Sequence, residues 1–421
     1  MKCVWLACLL LGSPLFAAPQ DFDNNVNARY TVETVILSGK GWTTNLQSET
    51  TNKVSTNLLR QLTAIIGQKL NPPSLDTLAQ NLKKELSARE VTHRIVRGET
   101  PEQVRVEFEV RPARASLGMN VNQFLYDSKV GFSGSGEAAL TTSTHMFALG
   151  LASNGDWLPE RFSGIVARYE DSRVGTDRLS FKFEAETFHT QWNQASIVAM
   201  ANSPAAVPAL YSARQAFQPT ATVVLFRPLT LTVGARIERF QDEGPLGEIQ
   251  AADAAIADLH YHQSIEGVGN QQDFDADLSL HSATRALNTD FVYTLRTGGV
   301  RYQYRHGKHT IVENAWGGYI TGRAPLSDRF VLGNSEYLRG WNKYEIDPLG
   351  GNRAVSNSVE YHYGPLQAFY DAGAIWDEGQ PIVARHSVGI GLRESVFSLA
   401  VAIPMRAGRV EPIFKIGRAH V

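Results

Sequence analysis

Period-two alternation of apolar and polar side chains recurs from residue 115 to the end of the chain, and it limits the fold more than any other feature. In "SFKFEAET" Phe181, Phe183 and Ala185 oppose Lys182, Glu184 and Glu186. In "LTLTVGARIER" Leu229, Leu231, Val233, Ala235 and Ile237 oppose Thr230, Thr232, Arg236 and Glu238. "VRYQYR" and "SVGIGLR" repeat the pattern, and no convincing long helix interrupts it. The sharpest case is "DFDADLSLHS", where Asp273, Asp275 and Asp277 share one face and Phe274, Ala276, Leu278 and Leu280 the other. Three structures permit such a strand: a metal site, a half-buried strand of a soluble sandwich, and a membrane barrel with a wet lumen and an apolar exterior.

The start of the chain favours export. "MKCVWLACLLLGSPLFAAPQ" has one lysine, an apolar run and small residues, which reads as a signal peptide over residues 1–18, with cleavage after Ala17 or Ala18. A lipidation signal at Cys8 fits its preceding residues poorly. Both cysteines, Cys3 and Cys8, fall in this segment, so the mature chain has no thiol for disulfides or thiolate chemistry. No later apolar run is long enough for a transmembrane helix. The slightly negative mean hydropathy suits an exported soluble protein and an outer-membrane barrel equally, because alternating strands cancel in any average. A formal net charge of -2 argues against nucleic acid as a partner.

Before residue 113 the pattern differs. "RYTVETVILSGK" (29–40) reads as a strand ending in a turn glycine. "STNLLRQLTAIIGQKL" (55–70) reads as a helix with Leu58, Leu59, Leu62, Ile65 and Ile66 on one face. "NPPSLDTLAQNLKKELSARE" reads as a second, starting near Ser74. The strands "VTHRIVRG" and "EQVRVEFEVRP" follow. The order strand, helix, helix, strand, strand makes a small α+β module over residues 28–113.

For the rest, residues 115–421, three features favour the barrel over the sandwich. The chain is exported, the aromatics Tyr361, Tyr363, Tyr370 and Trp376 lie on the apolar face, and the length allows roughly 16 membrane strands. "GSGEA" at 134–138 has no following helix and is no phosphate loop; its glycines suit a strand turn or bulge. "HGKH", with His306 and His309, reads as a turn.

The final third carries, in order, "FVLGNSEYLRGW", "NSVEYHYG", "AFYDAGAIWD", "SVGIGLRE" and "IFKIGRAHV". In that order they resemble the superfamily of BamA, TamA and the two-partner-secretion transporters, the bacterial surface antigen family of outer-membrane barrels. The resemblance implies a β fold: a C-terminal transmembrane β-barrel of sixteen antiparallel strands, preceded here by one small α+β POTRA domain. It is architectural between residues 115 and 320 and specific from 325 onward. The family's inward loop carries Val-Arg-Gly and an aromatic; here it is Leu338, Arg339, Gly340 and Trp341. Its Ser-x-Glu strand matches Ser358 and Glu360, and its Phe-x-Asp-x-Gly strand matches Phe369, Asp371 and Gly373. The usual terminal aromatic is absent, since the chain closes on His420 and Val421.

Alternation agrees with that assignment. If Tyr370 and Ala372 meet lipid, Asp371 points into the lumen; if Val359, Tyr361 and Tyr363 face out, Ser358, Glu360 and His362 face in. Arg339 on an inward-folded loop then supplies the cation, through two parallel hydrogen bonds to a carboxylate. Gly340 allows a tight backbone at the loop tip, and Gly373 leaves room on the wall.

The strand "ADLHYHQS" puts Asp258, His260 and His262 on one face, a set that holds zinc in other settings. Solvated lumen residues explain it more cheaply, and no cofactor is implied. No local motif marks a catalytic nucleophile, so the chain does not read as an enzyme. Two function classes remain. One is outer-membrane protein insertion or polypeptide translocation, with a periplasmic POTRA domain capturing unfolded clients at a sheet edge beside accessory assembly proteins. The other is a passive channel or structural barrel in the same lipid.

Overall fold

The computed structural model describes residues 29–417, apart from 40–41, 49–50, 52, 87, 113–114, 154, 204–207, 243–246, 268, 395–396 and 409. The expected signal peptide and the terminal residues His420 and Val421 lie outside the described residues. The chain divides into two compact units, one ending at Ala113 and the other starting at Arg114.

The first unit contains β1 (Thr31–Gly39), β2 (Trp42–Asn45), α1 (Thr56–Ala64), α2 (Pro72–Glu85), β3 (Ala88–Arg97) and β4 (Gln103–Pro112). Its sheet runs β2-β1-β4-β3, with β1 parallel to β4. Val35, Leu37, Val106 and Phe108 meet Leu58, Leu62, Leu75 and Leu82 in one core. The first helix is shorter than its periodicity predicts. After Ala64 the chain turns at Gly67, whose φ is 79°, and its backbone groups bond along β1 and the residue before it: Gly67 donates to the Val32 carbonyl and Leu70 to the Tyr30 carbonyl. Ile65 and Ile66 still pack on the core. The second helix starts two residues early, at Pro72, because a missing N–H costs nothing in a first turn. The short β2 has no signal in the sequence.

The second unit is a closed antiparallel barrel of sixteen strands among the described residues. They are β5 (Ser116–Asp127), β6 (Gly131–Thr141), β7 (His145–Ser153), β8 (Arg161–Asp171), β9 (Leu179–Gln191), β10 (Tyr211–Phe226), β11 (Leu229–Asp242) and β12 (Ile249–Gly267). The other eight are β13 (Asn270–Ala283), β14 (Tyr293–His306), β15 (His309–Gly322), β16 (Arg353–Tyr363), β17 (Leu366–Trp376), β18 (Arg385–Arg393), β19 (Ser398–Pro404) and β20 (Ile413–Gly417). Two short helices sit in connections, α3 (Gln194–Ala201) and α4 (Lys343–Ile346).

Phe274, Leu278, Leu280, Val359, Tyr361, Tyr363 and Tyr370 are exposed on the outer surface. A band of this kind is stable only against lipid, because water would charge about 25 cal/mol for each square ångström left bare. The glycine-rich run of β6 faces a bulge on β5, where the register shifts between Val121 and Gln123. His306 and His309 close a tight hairpin through Gly307. The barrel closes where β20 meets β5, pairing Lys415 with Asp127, Ile416 with Tyr126 and Gly417 with Leu125 among the described residues.

One mouth of the barrel is filled. The segment between β15 and β16, residues 323–352, folds inward with Leu326, Phe330, Leu332, Leu338 and Leu349 in an apolar cluster. Trp192, Tyr211, Phe240, Phe291 and Tyr293 complete that cluster from the walls and the neighbouring loop.

Candidate functional site: the inward loop and its wall contacts

The register of β16 and β17 sets Ser358 opposite Asp371 and Glu360 opposite Phe369. All four point inward, as the alternation predicts, and Arg339 of the loop comes down on them. Its Nε donates to Asp371 Oδ2 at 2.9 Å and its Nη2 to Asp371 Oδ1 at 2.6 Å, a two-pronged pair. Nη1 donates to Glu360 Oε1 at 2.6 Å, and Nη2 also donates to Ser358 Oγ at 3.0 Å. The Arg339 backbone N–H donates to Asp371 Oδ2 at 3.0 Å, so the same carboxylate fixes side chain and backbone together. The guanidinium carbon lies 3.5 Å from the centre of the Phe369 ring, which covers the remaining face.

This site is dry. Asp371 is 0% exposed, Arg339 7% and Glu360 9%. Charges taken this far out of water persist only when paired and hydrogen-bonded, which is the case here. Sequence reasoning turned His362 inward but gave it no role; its Nε2 lies 3.0 Å from Glu360 Oε2 and gives the second carboxylate a partner of its own. Its place two residues from Glu360 on the inner face was the available signal.

The other loop residues behave differently in part. Leu338 is fully buried. Trp341 donates from Nε1 to the His386 carbonyl at 2.9 Å, a bond that a phenylalanine would not form. Gly340 lies in a turn in which the Trp341 N–H donates to the Leu338 carbonyl at 3.4 Å, without a left-handed φ. A Cβ there would stand 2.5 Å from Ser387 Cβ and 3.1 Å from the Ile403 and Pro404 backbone, so its lack of a side chain serves close approach to β18 and β19. The room above Gly373 is taken by Leu332 of the same inward loop, 3.0 Å from where a Cβ would stand.

Further contacts hold the loop, and none had a sequence signal. Arg329 binds Asp377, between β17 and β18, with Nη2 2.8 Å from both oxygens. Lys343 is buried and donates from Nζ to the Leu158 carbonyl at 2.5 Å, while the Ser335 N–H reaches Asp156 at 2.8 Å. Burial, opposed by the charges of Asp156 and Glu160, lowers the Lys343 pKa from 10.5 to about 8. Burial likewise raises the neighbouring Tyr344 phenol to about 12.

The residues weighed as a metal set form pairs instead. His260 Nδ1 lies 2.6 Å from Asp277 and His262 Nδ1 2.6 Å from Asp275, while Asp258 accepts from Ser279. Among the described residues no group of three or more His, Cys, Asp or Glu gathers to hold a metal ion.

Residues 256–400 match the Omp85 superfamily domain, a span that includes the loop, β16 and β17. No curated protein matches the chain by sequence. Among solved structures, BamA from Haemophilus ducreyi lacking POTRA domains 1–3 is similar, with TM-score 0.64 and 14% identity over 92% of this chain and 84% of that one. CdiB from Acinetobacter baumannii gives TM-score 0.52 and 13% identity over 93% of this chain and 74% of that one. CdiB from Escherichia coli gives 0.50 and 10% over 93% and 76%. At these identities the likeness is one of fold.

Proposed function

We propose that this chain, whose barrel carries an Omp85 superfamily domain, inserts or translocates polypeptides at the outer membrane. The observation that carries the reading is the loop held inside the barrel, midway along β16 and β17, by Arg339 on Asp371, Glu360 and Ser358. A loop locked inside the barrel by buried charges suits a conduit that opens for a client, and suits a permanently open pore poorly. In this reading residues 28–113 are a periplasmic POTRA domain and residues 115–421 the membrane barrel. An unfolded client adds a strand to the sheet of the first unit, whose outer strands β2 and β3 each leave one edge unpaired among the described residues. The sequence order of that unit, its closed core and the parallel β1–β4 pair support this assignment. Accessory proteins would deliver clients, and no cofactor takes part. The protein is not an enzyme in this reading.

The test is reconstitution of the purified mature protein in liposomes, with insertion of an unfolded barrel client and ion conductance measured side by side. Client insertion that is lost on deleting residues 28–113, from a barrel that still shifts mobility on unheated gels, is the expected result. Steady conductance with no client insertion would point to the passive channel and overturn the proposal. Recovery of the mature chain as a soluble monomer would remove the membrane assignment as well.

A further inference from the structure

We infer that Asp328 is a second, sign-inverted anchor of the inward loop, holding it to β11 and β14 as Arg339 holds it to β16 and β17. Asp328 closes the short 3-10 turn Leu326–Asp328, and it is a carboxylate buried beside Leu326 and Phe330 of the apolar cluster. A lone carboxylate in such a place would be strongly unfavourable. Its Oδ2 accepts a hydrogen bond from the Tyr293 hydroxyl on β14, and its Oδ1 lies 3.7 Å from Arg236 Nη1 on β11.

The wall is built to receive it. Arg236 donates to Glu238 Oε1 at 2.7 Å, and Arg214 on β10 sits 3.6 Å from that same oxygen while donating to Glu186 at 3.3 Å. Within the wall itself two guanidiniums pair with Glu186 and Glu238, and Asp328 of the loop is a third carboxylate within reach of Arg236. Tyr293 supplies the extra donor that an added anion needs.

The inversion has a use. At one arc of the wall the loop brings a cation to carboxylates, and at the other it brings an anion to a guanidinium and a phenol. A loop shifted or flipped in the mouth would set Arg339 against Arg236, or Asp328 against Asp371 and Glu360. Like charges in a dry site repel strongly, so only one seating is favourable. Asp328 is thus a positioning residue, and the loop leaves its seat only when this anchor breaks together with that of Arg339 and the contacts of Arg329, Ser335 and Lys343.

The inference rests on the loop being seated at rest, as in the proposed function, but needs no client. Its test is the conductance of the purified full-length protein in planar bilayers. Asp328→Ala and Tyr293→Phe should each raise the fraction of time spent open roughly tenfold, as expected for losing a hydrogen bond to a charged group. The double variant should open no more than the stronger single one, because both remove one contact. Unchanged opening in Asp328→Ala, or a double variant equal to the product of the singles, overturns the inference. Should Asp328→Ala fail to fold, limited trypsin cleavage of the loop in Tyr293→Phe decides: faster cleavage than in the parent supports the anchor, and an unchanged rate overturns it. Altered opening together with absent client insertion would count against protein transport alone.

Discussion

Two stretches of wall in this barrel carry inward carboxylates and put them to different ends. On β13, Asp275 and Asp277 point into the lumen with their side chains 26% and 65% exposed, each beside one histidine. On β16 and β17, Glu360 and Asp371 also point inward, yet the loop covers them and supplies a four-bond guanidinium. In both stretches it is the same period-two alternation that turns the carboxylates inward. What differs is whether a distant segment removes the water, and that decides whether a carboxylate is a solvated lining group or part of a lock.

The comparison can be broken most directly at Arg339. Arg339→Ala should weaken loop seating by about 3–5 kcal/mol, because it strands two buried carboxylates, while the barrel still assembles. Protease cleavage within residues 323–352, set against heat-modified mobility of the barrel, measures both; slow cleavage would mean that the site is wetter than its geometry implies. Arg339→Lys keeps the charge and loses the fork, so it should cost less, about 2 kcal/mol, and impair client insertion less than the alanine variant does.

Lys343 sharpens the contrast as a function of pH. Its folded pKa, about 8, lies below the ordinary 10.5, so the unseated loop binds more protons between those values. Seating should therefore strengthen as pH rises from about 8 towards 10.5, by about 2 kcal/mol over the first 1.5 units, and stay flat below 8. Melting of the parent and of Lys343→Met across this range tests it, the expected outcome being a slope that only the parent shows. Gly340→Ala should cost about 1–2 kcal/mol through the clash with Ser387, with partial rescue by Ser387→Gly. At the wet wall, Asp275→Asn and Asp277→Asn should each change stability by less than about 1 kcal/mol. A larger loss there would erase the distinction between the two walls.

Much of the architecture was legible because alternation depends on near neighbours. Which side of β13, β16 and β17 faces inward follows from period two alone, and so does the inward placing of Asp371, Glu360, Ser358 and His362. The pairing of Arg339 with those residues came from the motif order. Contacts made by the path of the loop were not legible. Lys343 reaches Leu158, Gly340 meets Ser387 and Leu332 covers Gly373 only because thirty residues of irregular chain follow one route through the mouth, and no local periodicity encodes that route. In the first unit, α1 ends early because residues 67–70 find better hydrogen bonds on β1 than in another helical turn, a tertiary effect that apolar spacing does not register.

The loop departs from β15 and returns at β16, and these neighbours are still paired at Tyr319 and Arg353. Both feet of the loop thus stand side by side on the rim. Once its anchors break it can swing out as a hairpin-shaped tether, with no unthreading and no change in strand order. Residues 323–352 give two arms of about fifteen residues, and at roughly 3.3–3.6 Å per residue the tip would reach about 50 Å from its feet. That is farther than the hydrocarbon core of a bilayer is thick, about 30 Å. A freed loop could thus sweep the whole depth of the lumen, or touch objects well beyond the rim, while its feet never leave the wall.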